Sequence, residues 1–202
     1  MNKEGVIKFN CKWIKSDPLQ ADWIKDINDW RNKLYNAGLI SENADGIGYG
    51  NISVRYKANE FIISGSSTGK LKKLSGEHFT LVTDYNLEQN SLTTVGPIKA
   101  SSESLTHAII YESQKDVNAV IHVHHLQLWK KLLTTRPATS NTVGYGTTAM
   151  AKEILRLFRE SDLSAQKIFA MGGHEEGIVS FGKNLDEAGQ AIFVQLIHLQ
   201  AK

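Results

Sequence analysis

Two histidines are set into an apolar run, Ala119-Val120-Ile121-His122-Val123-His124. Residues two apart on a β-strand point to the same side, so His122 and His124 would present two imidazoles to one spot. Imidazole is a favoured ligand of Zn²⁺, and a reactive metal centre uses three protein ligands and leaves one position open. His174, in Met171-Gly172-Gly173-His174-Glu175-Glu176-Gly177, is a candidate third ligand. Glu103, in Ala100-Ser101-Ser102-Glu103-Ser104 just ahead of an amphipathic stretch, is a candidate proton-transfer carboxylate. Each alone has a plainer explanation: a hydrogen-bonded core histidine, an acid facing a helix dipole, a histidine in a glycine turn. Only in combination do they specify a metal site.

The elements that must position these groups can be sketched from periodicity. Trp23, Ile27, Trp30 and Leu34 form a helical stripe stopped by Asn36-Ala37-Gly38. A glycine-rich loop runs from Asp45 to Asn51, followed by short strands over 52–56 and 61–64. A second loop spans 65–69, a strand 80–83 and a turn 84–86. A helix from about Ser101, capped by Ser101 or Ser102, buries Leu105, Ala108 and Ile109. Helices over 126–133 and 147–160, strands over 167–171 and 177–181, and a last helix from Leu185 burying Ala188, Ile192 and Leu196 complete the chain. Strands mixed with helices indicate an α/β sheet layered by helices.

The 202 residues suit a single domain, with 1–17 as an N-terminal extension before the break at Pro18. A formal charge of +2 and the lack of a basic stripe with interleaved aromatics argue against a nucleic-acid partner. Lys70, Lys72 and Lys73 read as a solvated edge. The single cysteine, Cys11, excludes an internal disulfide framework. With neither an apolar leader nor a run long enough to cross a bilayer, the expectation is a cytoplasmic protein with no membrane partner.

The order Gly50-Asn51-Ile52-Ser53-Val54-Arg55, Ser101-Ser102-Glu103, His122-x-His124, then His174 before Gly177-Ile178-Val179-Ser180-Phe181-Gly182 resembles the class II aldolase/adducin family, from about Asp22 to Ala191. The resemblance, closest to a divergent fuculose-phosphate aldolase-like subgroup, implies a three-layer α/β/α sandwich around a mainly antiparallel sheet. It implies a homotetramer with sites at subunit interfaces, one Zn²⁺ or another divalent ion on His122, His124 and His174, and Glu103 as acid/base. It also implies a substrate anion held by Gly50 and Asn51, by a loop within Ser66, Ser67, Thr68 and Gly69, and by Ser101 and Ser102. The implied activity is a lyase cleaving a small sugar phosphate or hydroxy-ketone through a metal-stabilised enediolate. Epimerase or dehydratase chemistry on the same metal site, and a non-catalytic adducin-like scaffold, are the alternatives; a scaffold alone would have no use for three imidazoles and a carboxylate at these places.

Two features depart from the family pattern. Glu175 and Glu176 separate His174 from Gly177, where fuculose-phosphate aldolase has glycine directly after histidine, and they read best as a solvated turn. The loop Ser64 to Lys70 does not align uniquely with the aldolase phosphate loop. His125 breaks the two-residue register and is left out of the site, while His78 and His107 read as surface or packing residues. Tyr145, on a glycine-flanked loop, could reach the site.

Overall fold

The computed structural model describes residues 6–200. In chain order the strands are β1 (Asn10–Lys15), β2 (Ser41–Glu42), β3 (Gly48–Tyr49), β4 (Asn51–Lys57), β5 (Glu60–Ser64), β6 (Phe79–Asn86), β7 (Ser91–Gly96), β8 (Ala119–His124), β9 (Ile168–Ala170) and β10 (Gly177–Gly182). The helices are α1 (Ala21–Asn36), α2 (Ser104–Ser113), α3 (Leu126–Thr135), α4 (Thr148–Glu160), α5 (Leu163–Gln166) and α6 (Leu185–Gln200). Eight strands make one sheet in the order β1-β7-β6-β5-β4-β8-β10-β9, and β2 pairs with β3 in a separate ribbon. Every pairing in the large sheet is antiparallel except β1 with β7.

Alternation along β8 divides the core. Ala119, Ile121 and Val123 join the apolar cluster that packs α1, α3 and α6 on one face. Val120 joins the cluster under α2 and α4 on the other. A period of two puts His122 and His124 on Val120's face. Helices on both faces of a mainly antiparallel sheet are the layering expected from the sequence.

Several expectations shift. Asn10–Lys15, inside the segment read as an extension, is β1, in register with Ser91–Gly96 of β7; residues 1–5 of that segment lie outside those described. The turn expected over 84–86 is still strand, because a register irregularity between Val82 and Asp84 lets β6 run on to Asn86. The stripe of α1 is rotated by one residue, so Ile24, Ile27, Arg31 and Leu34 are buried. Trp23 instead lies 42 % exposed against Tyr56. Trp30 sits at the rim and donates to Asp186 at 2.9 Å. α2 begins at Ser104 rather than Ser101 and is buried on all sides from Ser104 to Tyr111, since the sheet and α4 enclose it. Leu196 of α6 is only partly buried. Lys70, Lys72 and Lys73 are exposed, as expected.

Candidate metal centre

Antiparallel pairing gathers the ends of alternate strands at one edge of the sheet. β8 ends there in His122 and His124, Asn51 of β4 stands opposite His122, and Gly177 of β10 stands opposite His124. β5 runs out at this edge into the loop Gly65–Gly69, and Gly65 bridges Ala100, just before the serines and Glu103. His174 lies in the turn entering β10, where its N–H donates to Met171 and its carbonyl accepts from Gly177. Residues far apart in sequence thus meet without any long-range side-chain code.

His122, His124 and His174 are all buried, and their candidate ligand nitrogens lie within 4.8 Å of one another. The Nε2 atoms of His122 and His124 are 3.2 Å apart. Two nitrogens each about 2.1 Å from a tetrahedral ion stand about 3.4 Å apart, so this pair fits a common cation. His122 Nδ1 lies 3.2 Å from the Ile178 carbonyl, a contact that places the proton on Nδ1 and leaves Nε2 to ligate. Burial, then His122 and His174 beside it, push His124 well below its ordinary pKa, keeping the neutral form a metal requires. The three imidazoles are therefore positioned to hold a divalent metal.

Glu103 is buried and lies 3.3 Å, through Oε1, from His174 Nδ1. Its other oxygen accepts from the Thr106 hydroxyl at 2.8 Å. Burial alone would raise this carboxyl, but His174, the charge of His122 and the Thr106 hydroxyl draw it down to about 2. It is an ionised carboxylate directed at the imidazole cluster.

The residues expected around a substrate anion divide in two. Asn51 is buried and its Oδ1 has no hydrogen-bond partner, so a polar side chain beside His122 is unsatisfied. Gly50 beside it takes φ +77°, and a Cβ there would come 2.7 Å from Ile40 Cγ1. Ser101 and Ser102 are buried in the turn before α2, where Ser101 Oγ accepts from the Glu103 N–H at 3.4 Å. Ser66 is tied to this turn by its N–H to the Lys99 carbonyl at 2.9 Å, and Ser67 is exposed with φ +61°. Thr68 and Gly69 turn inward instead. The Thr68 hydroxyl donates to Gly65 at 2.8 Å, and a Cβ on Gly69 would run into the Tyr49 carbonyl.

Behind that loop lies a group the sequence reading missed. The Arg31 guanidinium, 1 % exposed, donates to the carbonyls of Thr68, Gly69 and Lys72 at 3.2, 2.9 and 3.2 Å. Among the described residues no carboxylate pairs with it, and burial lowers its pKa to about 10, partly offset by Tyr35. Nothing in a helix stripe of otherwise apolar residues marks an arginine as the one turned inward.

The remaining histidines separate cleanly. His125 caps α3, its Nδ1 accepting from the Leu128 N–H at 3.1 Å, and is no part of the site. His78 caps the turn at Ser75. His107 is fully buried beneath the site, 2.7 Å from Ser53 Oγ, which also meets the Tyr111 hydroxyl at 2.8 Å. Tyr145 does reach the centre: its ring lies 4.6 Å from that of His174, with the Lys8 ammonium 3.6 Å above its centroid. Glu176 is not simply solvated, since its carboxylate lies 4.0 Å from His124 Nδ1, whereas Glu175 is exposed. Tyr49 stacks on His124 with centroids 4.8 Å apart and planes at 19°.

Residues 35–195 match the model of the Class II Aldolase and Adducin N-terminal domain. The chain belongs to that family. Among curated proteins, a probable L-ribulose-5-phosphate 4-epimerase of Mycoplasma pneumoniae, UlaF, is 28 % identical over 102 residues, covering 50 % of this chain and 40 % of the epimerase. The match thus spans well under two thirds of that relative's length. Among solved structures, L-fuculose-1-phosphate aldolase from Thermus thermophilus superposes with a TM-score of 0.63 at 22 % identity, covering 90 % of this chain and 93 % of the aldolase. YgbL from Escherichia coli, described as a putative aldolase/epimerase/decarboxylase, gives a TM-score of 0.66 at 15 % identity, covering 90 % and 88 %. These likenesses establish the class II aldolase fold. Among the described residues no helix is long and apolar enough to cross a membrane.

Proposed function

We propose that the protein is a metal-dependent enzyme of the class II aldolase type acting on a small sugar phosphate or related hydroxy-ketone, with Zn²⁺ on His122, His124 and His174. The observation that carries this reading is the convergence of three buried imidazoles with a buried carboxylate at the same sheet edge. A divalent ion there supplies Lewis acidity, stabilising negative charge that develops on a substrate carbonyl and its neighbouring hydroxyl. The chain's own groups do the rest. Glu103, ionised at neutral pH, accepts the proton of the hydroxyl that becomes the aldehyde. As the C–C bond breaks, its electron pair moves to the carbonyl-bearing fragment, and the protonated Glu103 returns that proton to the carbon left behind. Burial of Glu103 excludes bulk water from this exchange.

Asn51, with its unpartnered amide oxygen, orients a substrate hydroxyl beside His122. Ser101, Ser102, Ser66 and Ser67 offer hydroxyl and backbone donors for a phosphate, while Gly50, Thr68 and Gly69 shape the loops that carry them. As in the sequence-based expectation, neighbouring copies in a homotetramer would complete the pocket, and the cytoplasm is the proposed compartment. The UlaF relationship supports epimerisation as the second reading, because breaking and remaking the same bond needs the same groups.

A panel of phosphorylated ketoses and pentuloses, incubated with zinc-loaded protein, tests both readings. Aldehyde release identifies a lyase, and inversion without cleavage an epimerase. No turnover of any member by fully loaded protein overturns the proposal.

A further inference from the structure

Tyr49 touches both His124, one of the three proposed metal ligands, and the loop assigned to the substrate anion. Its ring lies nearly parallel on the His124 imidazole, 4.8 Å between centroids, which limits rotation of that ligand about its side-chain axis. Its backbone lies directly against Gly69, where any side chain would strike the Tyr49 carbonyl. The preceding residue is equally confined, since a Cβ on Gly48 would come 2.9 Å from the Lys70 nitrogen. Arg31 anchors the far side of that loop through the Thr68 and Gly69 carbonyls. β3 therefore cannot shift without moving the loop, and the Tyr49 ring cannot shift without removing the flat face packed on His124. Two residues on, Asn51 stands across the ladder from His122.

We propose that Tyr49 is a positioning residue for the metal centre: its ring fixes the plane of His124, and its backbone couples that imidazole to the Ser66–Gly69 loop. The proposal rests on the metal-site reading above. A ligand whose orientation is held by packing binds its ion more tightly than one free to turn. If an anion orders the loop, the metal is held more firmly, and by linkage the metal strengthens anion binding equally.

Metal-free protein titrated with Co²⁺, with and without inorganic phosphate, tests this through cobalt affinity and the visible absorption band. Tyr49→Phe keeps the ring and should match the wild type. Tyr49→Ala should lose about 10-fold or more in cobalt affinity, with an altered band and no response to phosphate. Tyr49→Leu, which retains bulk without a flat face, should behave as the alanine variant does; circular dichroism of the metal-free forms shows that each is folded. Wild-type affinity and band in both Tyr49→Ala and Tyr49→Leu would overturn the ring's role. An unchanged wild-type cobalt affinity at saturating phosphate would overturn the coupling. A wild-type protein that takes up no cobalt would instead remove the metal site itself, and the role of Tyr49 with it.

Discussion

Adjacent residues His124 and His125 share a residue type and little else, and removing a cluster histidine or the α3 cap separates ligation from folding. His124 faces the cluster, whereas His125 caps α3 through the Leu128 N–H. His122→Ala is expected to abolish tight metal binding, while His125→Ala keeps the metal and costs about 1 kcal/mol of stability; metal content and urea midpoints on the same preparations check both. Glu103→Gln should retain metal and lose turnover by about 100-fold or more, since the carboxamide cannot accept the proton. Equal metal loss in His122→Ala and Glu103→Gln would contradict the assigned roles. His107, like His124, contributes to the pH dependence of stability. Burial, reinforced by His122 and opposed by Glu103, lowers the pKa of His107 from 6.5 to about 3. The unfolded chain then binds its proton first, so this contribution to stability is complete above about pH 6.5 and is lost as pH falls towards 3. Urea midpoints from pH 7 to 4.5 should fall less steeply in His107→Gln than in the wild type.

Elements were legible where their periodicity was strong and local. α3, α4, α6 and β8 appear close to their expected places because apolar spacing and caps such as Thr147, which accepts from the Met150 N–H at 3.2 Å, are short-range signals. β1 and β7 were not legible. Ser91–Gly96 alternates in burial but through threonines as well as Leu92, and Asn10–Lys15 is largely exposed at the sheet edge. Their pairing joins segments some eighty residues apart, which no local pattern encodes. α1 shows the same limit. Two tryptophans dominated its stripe, yet the buried face carries Arg31 because three loop carbonyls needed a donor. Arg31→Met removes those bonds and leaves the carbonyls unsatisfied; we expect about 3 kcal/mol of destabilisation. Faster proteolysis within 66–73 than elsewhere is the accompanying signature.

At the scale of the whole molecule, metal and fold are linked. Three imidazoles from β8 and the β9–β10 turn converge only when the sheet is formed, so an ion held by them would bind the folded chain in preference to the unfolded one. At a free metal concentration 100 times the dissociation constant this adds about 2.7 kcal/mol. For a chain of this size that raises the melting temperature by roughly 5–10 °C. Calorimetry of chelator-treated and reloaded protein measures the difference, and His122→Ala should show none of it.

What the sequence determined by itself was chemical identity: a His-x-His pair on an apolar strand, a late histidine between glycines, and a Ser-Ser-Glu turn, together with the family their order marks. Those signals depend on residue type and on spacing within an element, where the strand period of two is enough. Tertiary structure decided the supporting cast. Only the folded sheet shows Arg31 behind the Ser66–Gly69 loop, Tyr49 and Tyr145 against two of the imidazoles, and Glu176 turned back towards His124. Each of those contacts joins separate elements, and its geometry follows from antiparallel pairing and from packing between layers, which no local spacing records.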